Sequence, residues 1–226
     1  AKNMIKNVKK TPVVDGSGLK NTLERKVLND LQNKININLS NKKVLLVSAV
    51  DRFGMAEGFN KLGSELIIGD SIFGLGIPLA LNSIRSLEVV ARLVAPVITK
   101  LPFELVYPTG SKQEKENKSD KYSRYYKKAD IIAGDFHFIK KYIPKKLSDK
   151  IIITNTVTED DIDLLKEREV KQLITTTPDL EGRSFGTNVM EAILVAVSEK
   201  SPCELEIEDY LNLLDKINFS PRIIKF

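Results

Sequence analysis

The sequence predicts an α/β protein built on a doubly wound, mostly parallel, Rossmann-like sheet. Short apolar runs recur along the chain and end in polar, often Gly-containing tips. They are PVVDGSG (12–18), VLLVSAVDRFG (44–54), ELIIGDS (65–71), ELVYPTG (104–110), DIIAGDFH (130–137), IIITNTVT (151–158) and QLITTTPD (172–179). A stretch of helical spacing follows nearly every run, as in parallel strands joined by crossover helices. The crossovers are uneven in length and the last strand is weak, which favours an open sheet over the alternative, a β/α barrel. Either architecture gathers ligands at the carboxyl ends of the strands.

The elements follow in order. A first strand is expected over 11–14. GLKNTLERKVLNDLQNK (18–34) has leucines at 19, 23, 28 and 31 and predicts a helix. NINLSNKK (36–43) is a polar connector and a candidate hinge. It divides an N-terminal strand–helix segment (1–41), expected to be the remainder of an upstream subdomain, from the α/β domain (42–226). VLLVSAV (44–50) reads as a buried strand, and RFGMAEGFNKLG (52–63) as a short helix with Gly63 as C-cap. ELIIGD is the next strand. IPLALNSIRSLEVVARLVAPVITKL (77–101) is the most apolar helix, with Pro96 expected to kink or break it. Such a helix is buried on most of its surface or forms a contact between two copies in a homodimer. FELVYPTG (103–110) reads as another strand, and the charged run 111–128 as a solvated helix or loop.

The second half is more regular. ADIIAGD leads into FHFIKKYIPKKL, and KIIITNT into TEDDIDLLKERE, where Thr158 and Asp161 form a capping-box pattern. VKQLITTT leads into GTNVMEAILVAVSE, with Thr187 or Ser184 as its expected cap. SPCELEIEDYLNLLDKI begins at Ser201–Pro202 as a final helix, and RIIKF is a last strand.

Composition bounds the function. The 226 residues suffice for one large α/β domain or two small ones, and 42% apolar with 29% charged residues is ordinary for a globular protein. A single cysteine, Cys203, forms no internal disulfide, which fits a reducing, cytoplasmic compartment. Arg85, Glu88, Arg92 and Lys100 interrupt the longest apolar stretch, so it is not read as a membrane span. The sequence opens at Ala1 on what reads as a basic helix end, so it is expected to be part of a longer chain. Net charge is +5, but the basic residues are interspersed with acids and few aromatics accompany them. That pattern reads as solvated surface charge and points away from nucleic acid; a small anionic ligand is the expected partner on the strength of the loop residues below.

Five tips carry candidate chemistry. In VLLVSAVDRFGMAEGF, Gly54 and Gly58 flank the turn where a dinucleotide pyrophosphate would meet a helix start. Glu57 lies between them, and Asp70 ends the next strand where a ribose-binding carboxylate belongs. The full G-x-G-x-x-G fingerprint is absent, and a structural turn explains the same residues. In VVDGSGLKNT (13–22), Ser17, Lys20 and backbone N–H groups suit an anion, or Asp15 and Ser17 cap a turn. YPTGSKQ (107–113) lacks the G-x-x-x-x-G-K-[ST] of a phosphate loop. AGDFHF (133–138) holds the only histidine, His137, placed for proton transfer just past a strand end. In TTTPDLEGRSFGTNVMEA (175–192), Thr176, Arg183, Thr187 and Asn188 suit a carboxylate or phosphate. No clustered ligand spacing suggests a metal.

Taken together, VVDGSGLKNTLER, VSAVDRFGMAEGF, ADIIAGDFHFIKKYIP and ITNTVTEDDIDLL…LITTTP…EGRSFGTNVMEA resemble a prokaryotic protein group labelled quinate/shikimate 5-dehydrogenase. The resemblance covers essentially the whole chain. It implies NAD- or NADP-dependent oxidation of a small anionic substrate of the quinate or shikimate type. The G-A-G-G-A nucleotide loop and the N-V-T-x-P-x-K substrate motif of shikimate dehydrogenases are both missing, so no catalytic residue is carried over from them. EG…FGTNVMEA is also similar to the E-G-F-G-x-x-x-x-E-A segment of nucleotide-sugar glycosyltransferases, with Arg183 and Ser184 inserted; there the segment, with Glu191, would contact the sugar nucleotide. The leading expectation is an oxidoreductase with its cofactor near Gly54, Glu57, Gly58 and Asp70. Its substrate would lie near Ser17, Thr176, Arg183, Thr187 and Asn188, with His137, Asp51 or Lys20 in catalysis. A non-catalytic metabolite sensor and a nucleotide-sugar-dependent transferase are the alternatives.

Overall fold

A computed structural model describes residues 7–8, 10–74, 76–98, 122–180 and 183–226, with backbone alone at 94–98, 179–180 and 183. Eight α-helices are described, α1 (Ser17–Asn33), α2 (Phe53–Lys61), α3 (Ile84–Ile98), α4 (Ser123–Lys128), α5 (Phe136–Tyr142), α6 (Glu159–Glu167), α7 (Thr187–Val197) and α8 (Ile207–Lys216). The described strands are β1 (Lys43–Leu46), β2 (Glu65–Ile68), β3 (Ile131–Ala133), β4 (Ile151–Thr154), β5 (Gln172–Thr175), the short pair β6 (Asp179–Leu180) and β7 (Arg183–Ser184), and β8 (Arg222–Lys225).

Six strands form an open sheet in the order β2-β1-β3-β4-β5-β8. All neighbours run parallel except β8, which lies antiparallel to β5. This is the Rossmann-like, doubly wound architecture the sequence predicts; among the described residues β2 and β8 stand as separate edges, as an open sheet requires and a barrel does not.

Successive strand residues point to opposite faces, and the two faces feed two cores. Val44, Leu46, Ile131, Ala133, Ile153 and Ile174 join α1, α2, α7 and α8 on one side. Leu45, Val47, Ile132, Ile152 and Leu173 join α4, α5 and α6 on the other, with Phe73 packed among Tyr122, Tyr126 and Tyr142. The leucines of α1 lie wholly inside the first of these cores. From β1 the chain turns to β2 on one side and returns to β3 on the other. The carboxyl ends of β1 and β3 therefore flank a topological switch point, where such sheets open a crevice.

Several local expectations are corrected. Residues 11–14 form no strand; they are irregular and pair with no strand among the described residues, and Val13 is exposed. β1 ends at Leu46, since Ser48 to Arg52 turn into α2. α3 starts at Ile84 and its backbone stays helical through Pro96. It is not buried on most of its surface: Leu87 is enclosed, but Val89 and Leu93 are 52% and 73% exposed. The cap of α7 is Gly186, with no side-chain bond. Ser184 instead bonds the backbone of Val157 in both directions, at 2.8 and 3.0 Å. The final helix is split at Leu205: a 3-10 turn, Pro202–Glu204, precedes α8, and each has its own capping box. Thr158 and Asp161 do form the expected box at α6. The strand expected within 103–110 and the run 111–121 lie outside the described residues, as does the YPTGSKQ motif. Among the described residues, no helix is long and apolar enough to cross a membrane.

Candidate functional site

The turn after β1 brings Arg52 to the switch point, where it is 6% exposed. Its Nη1 donates to Glu24 Oε1 at 3.1 Å and its Nη2 to Asp135 Oδ2 at 3.0 Å. Asp51 Oδ2 lies 3.4 Å from Nε, which itself makes no hydrogen bond. Burial pulls this guanidinium downward, but Glu24, Asp135 and Asp51 outweigh it and hold the group above its usual range. Burial pushes Glu24 upward, opposed by Arg52.

Each carboxylate has a second task. Glu24 Oε2 accepts the Met55 N–H at 2.9 Å, at the start of α2. Asp135 caps α5 by accepting the His137 N–H at 3.0 Å, and it also accepts from Asn155 Nδ2 at 3.2 Å. A cluster spanning α1, β1, β3 and β4 is thereby tied to one arginine.

Above this cluster lies a cavity of about 360 Å³, lined by the Asp15–Gly16–Ser17 turn, Lys20, Arg52, Asn155, and Gly186–Thr187–Asn188 at the start of α7. Two helix starts converge here. Gly16 has φ +94°, and a Cβ on it would lie 2.9 Å from the Asn188 backbone nitrogen, so glycine is required for the approach. The Gly16 N–H donates to Glu191 Oε2 at 2.6 Å, and Tyr210 Oη donates to Glu191 Oε1 at 3.0 Å. Glu191 therefore binds the turn to α7 and α8, which accounts for its burial better than the sugar-nucleotide contact expected of it.

Helix starts carry unsatisfied N–H groups and partial positive charge, so what fills them is informative. Asp15 accepts from Ser17 at α1, and Asn21 and Glu24 accept at α2. Asp135, Thr158 and Glu206 cap α5, α6 and α8. The start of α7 has no side-chain cap and no acidic residue in its first turn, and it opens into the cavity.

The predicted residues separate into two groups. Ser17, Lys20, Thr187 and Asn188 meet in the cavity. Asp51 is beside it, paired with Lys20 Nζ at 2.6 Å. The expected cofactor residues are engaged elsewhere. The Gly54 N–H donates to Asn21 Oδ1 at 3.1 Å, and its Cα faces the α1 backbone. Gly58 admits Leu28, and Glu57 pairs with Arg25 at 2.6 Å. Asp70 accepts from the N–H groups of Ala49 and Val50 at 2.9 and 2.8 Å, bracing the turn after β1. His137 is exposed and outside the cavity lining; its residue contributes a backbone N–H to the cap of α5. Thr176 is buried, its N–H donating to Thr154 O at 2.8 Å, and it does not line the cavity. The side chain of Arg183 lies outside the described residues.

Arg52 and Asn155 were not singled out by the sequence reading. A usable signal existed in Glu24, a carboxylate set between Leu23 and Val27 on the apolar face of α1, which needs a buried cation. Among the described residues, no group of three or more His, Cys, Asp or Glu side chains is placed to hold a metal.

The Glu191–Tyr210 contact carries a pH signature. Burial, reinforced by Glu191, pushes the Tyr210 hydroxyl from 10.0 up to about 12. Its stabilising contribution is complete below the unfolded value of 10.0 and is lost as pH rises through about 12. Urea unfolding across that alkaline window should show wild-type stability falling more steeply than that of Tyr210→Phe. Equal slopes would mean the hydroxyl is not held as described.

A family model described as "Domain of unknown function (DUF8754)" matches residues 18–226. No curated protein matches the chain. Among solved structures, it is similar to the substrate-binding protein of a sugar ABC transport system from Bordetella parapertussis 12822, with a TM-score of 0.34 and 10% identity, over 91% of this chain and 56% of that one. It is also similar to a single-residue mutant of glutamate dehydrogenase, with a TM-score of 0.36 and 12% identity, over 91% of this chain and 41% of that one. The chain thus spans about half the length of the structures it matches.

Proposed function

The chain belongs to the DUF8754 family, and we propose that it binds a small molecule through an anionic group seated at the start of α7. The observation that carries this reading is the uncapped α7 start opening onto Lys20 and Arg52. Free N–H groups at a helix start attract an anion, and cationic side chains strengthen the hydrogen bonds.

Ligand recognition is favoured over NAD(P)-dependent oxidation of a quinate-type acid. The crevice offers the acid a seat, but Asn21 and Glu24 already take the N–H groups of the β1–α2 turn. A dinucleotide would need a different phosphate seat.

Titration of the labelled protein with acetate and with inorganic phosphate tests the proposal. Acetate should shift the amide resonances of Thr187 and Asn188, and Lys20→Met should weaken its binding about tenfold, or roughly 1.4 kcal/mol. Unchanged resonances with both anions at ~100 mM, far above a millimolar Kd, would overturn it.

A further inference from the structure

We infer that this chain pairs with a second copy of itself through the outer face of α7, the two helices lying antiparallel across a two-fold axis. Helix α7 is apolar on both sides. Met190, Leu194 and Val195 are buried inward, together with Glu191. Val189, Ile193 and Val197 stand outward, 39%, 38% and 61% exposed, with exposed Ala192 and Ala196 beside them. The other described helices carry Lys, Arg, Asp or Glu where they meet solvent, and α7 carries none there. On α3, which the sequence nominates for such a contact, exposed Val89 and Leu93 stand among exposed Arg85, Glu88 and Arg92. A helix that is apolar all round belongs with both faces covered.

The shape of the face selects a second copy as its cover. Val189, Ile193 and Val197 recur every four residues and form a ridge, and Ala192 and Ala196, at the same spacing, form a shallow row alongside it. Turned through a two-fold, the ridge of each copy lies in the alanine row of the other, so the face is its own complement. Residues near such an axis meet their own counterparts, and a charge there would repel itself; this face has none. Interfaces between identical chains are likewise apolar and poor in charge at their centre.

Charge sets the direction of the pair. Helix α7 has no acidic residue in its first turn and no basic residue in its last, so its own side chains offset neither end of its dipole. Antiparallel copies lay each positive start beside the partner's negative end, whereas parallel copies would set like ends together.

Sedimentation equilibrium of the full chain from about 5 to about 500 μM tests the proposal and should show a monomer–dimer equilibrium. Ala192→Lys fills the alanine row and brings like charges together near the axis. It should weaken the dimer about a hundredfold, tenfold for each copy, and leave the melting temperature of the dilute monomer unchanged. Cys203 is the only cysteine and is exposed, so cross-linking variants carry Cys203→Ser. In that background Ile193→Cys should form an intermolecular disulfide on mild oxidation, and Val89→Cys on α3 should not. A chain that stays monomeric across the range overturns the pairing. So does a dimer that survives Ala192→Lys, or one that cross-links only in the Val89→Cys variant. A monomer whose melting temperature falls with Ala192→Lys would mean that a segment of the same chain covers the face, and overturns it too.

Discussion

Arg52→Met should lower stability by about 3–5 kcal/mol, the cost of breaking a buried ion pair from one side. The substitution leaves Glu24 and Asp135 buried without their cation, at 1% and 4% exposure. Methionine fills much of the volume, so the loss comes from uncompensated charge and not from a cavity. For a chain of this size the melting temperature should fall by roughly 10 °C. Adding Glu24→Gln to Arg52→Met should recover part of the loss by removing one stranded charge, and a double-mutant cycle would measure the coupling. A single-variant loss under about 1 kcal/mol would mean that the arginine is not what holds these carboxylates in place.

Gly54→Ala should cost about 3 kcal/mol, at the upper end of ordinary overpacking. A Cβ there would stand 2.6 Å from both Cα and O of Asn21. Those are backbone atoms of α1, so no side chain can turn aside and the two helices must move apart. A phosphate-binding role for this glycine predicts the opposite outcome, unchanged stability with lost nucleotide affinity. Urea denaturation of the variant decides between them, because the packing role shifts the midpoint with little change in slope.

The two glycine outcomes show where sequence reasoning reaches and where it stops. A glycine at a strand-to-helix turn looks the same whether it admits a phosphate or a neighbouring helix. Only the position of α1 separates the two, and α1 is more than thirty residues away along the chain, as its Asn21 bond to Gly54 shows. The periodic features were legible because they are local. Leucine spacing marked α1, apolar runs marked the buried strands, and the Thr158–Asp161 pattern marked the start of α6. Ser17, Lys20, Thr187 and Asn188 were legible as anion-binding types at element starts, and they do meet in the cavity. Arg52 was not, because its carboxylate partners lie 28 and 83 residues away and an arginine in a turn reads as solvated. The expected strand at 11–14 failed for a related reason, since an apolar run becomes a strand only where a neighbour offers hydrogen bonds.

The clasp between Gly16 and Glu191 joins residues 175 positions apart. Closing a loop of that length costs chain entropy before the contact rewards it, which slows folding. During synthesis the N-terminal half of the sheet can collapse while the crevice still lacks its α7 wall. The ligand seat is then a reporter of completed folding: a chain released before Glu191 has no means of forming it. Any ligand that occupies the seat stabilises only the finished molecule, by an amount that grows with its concentration.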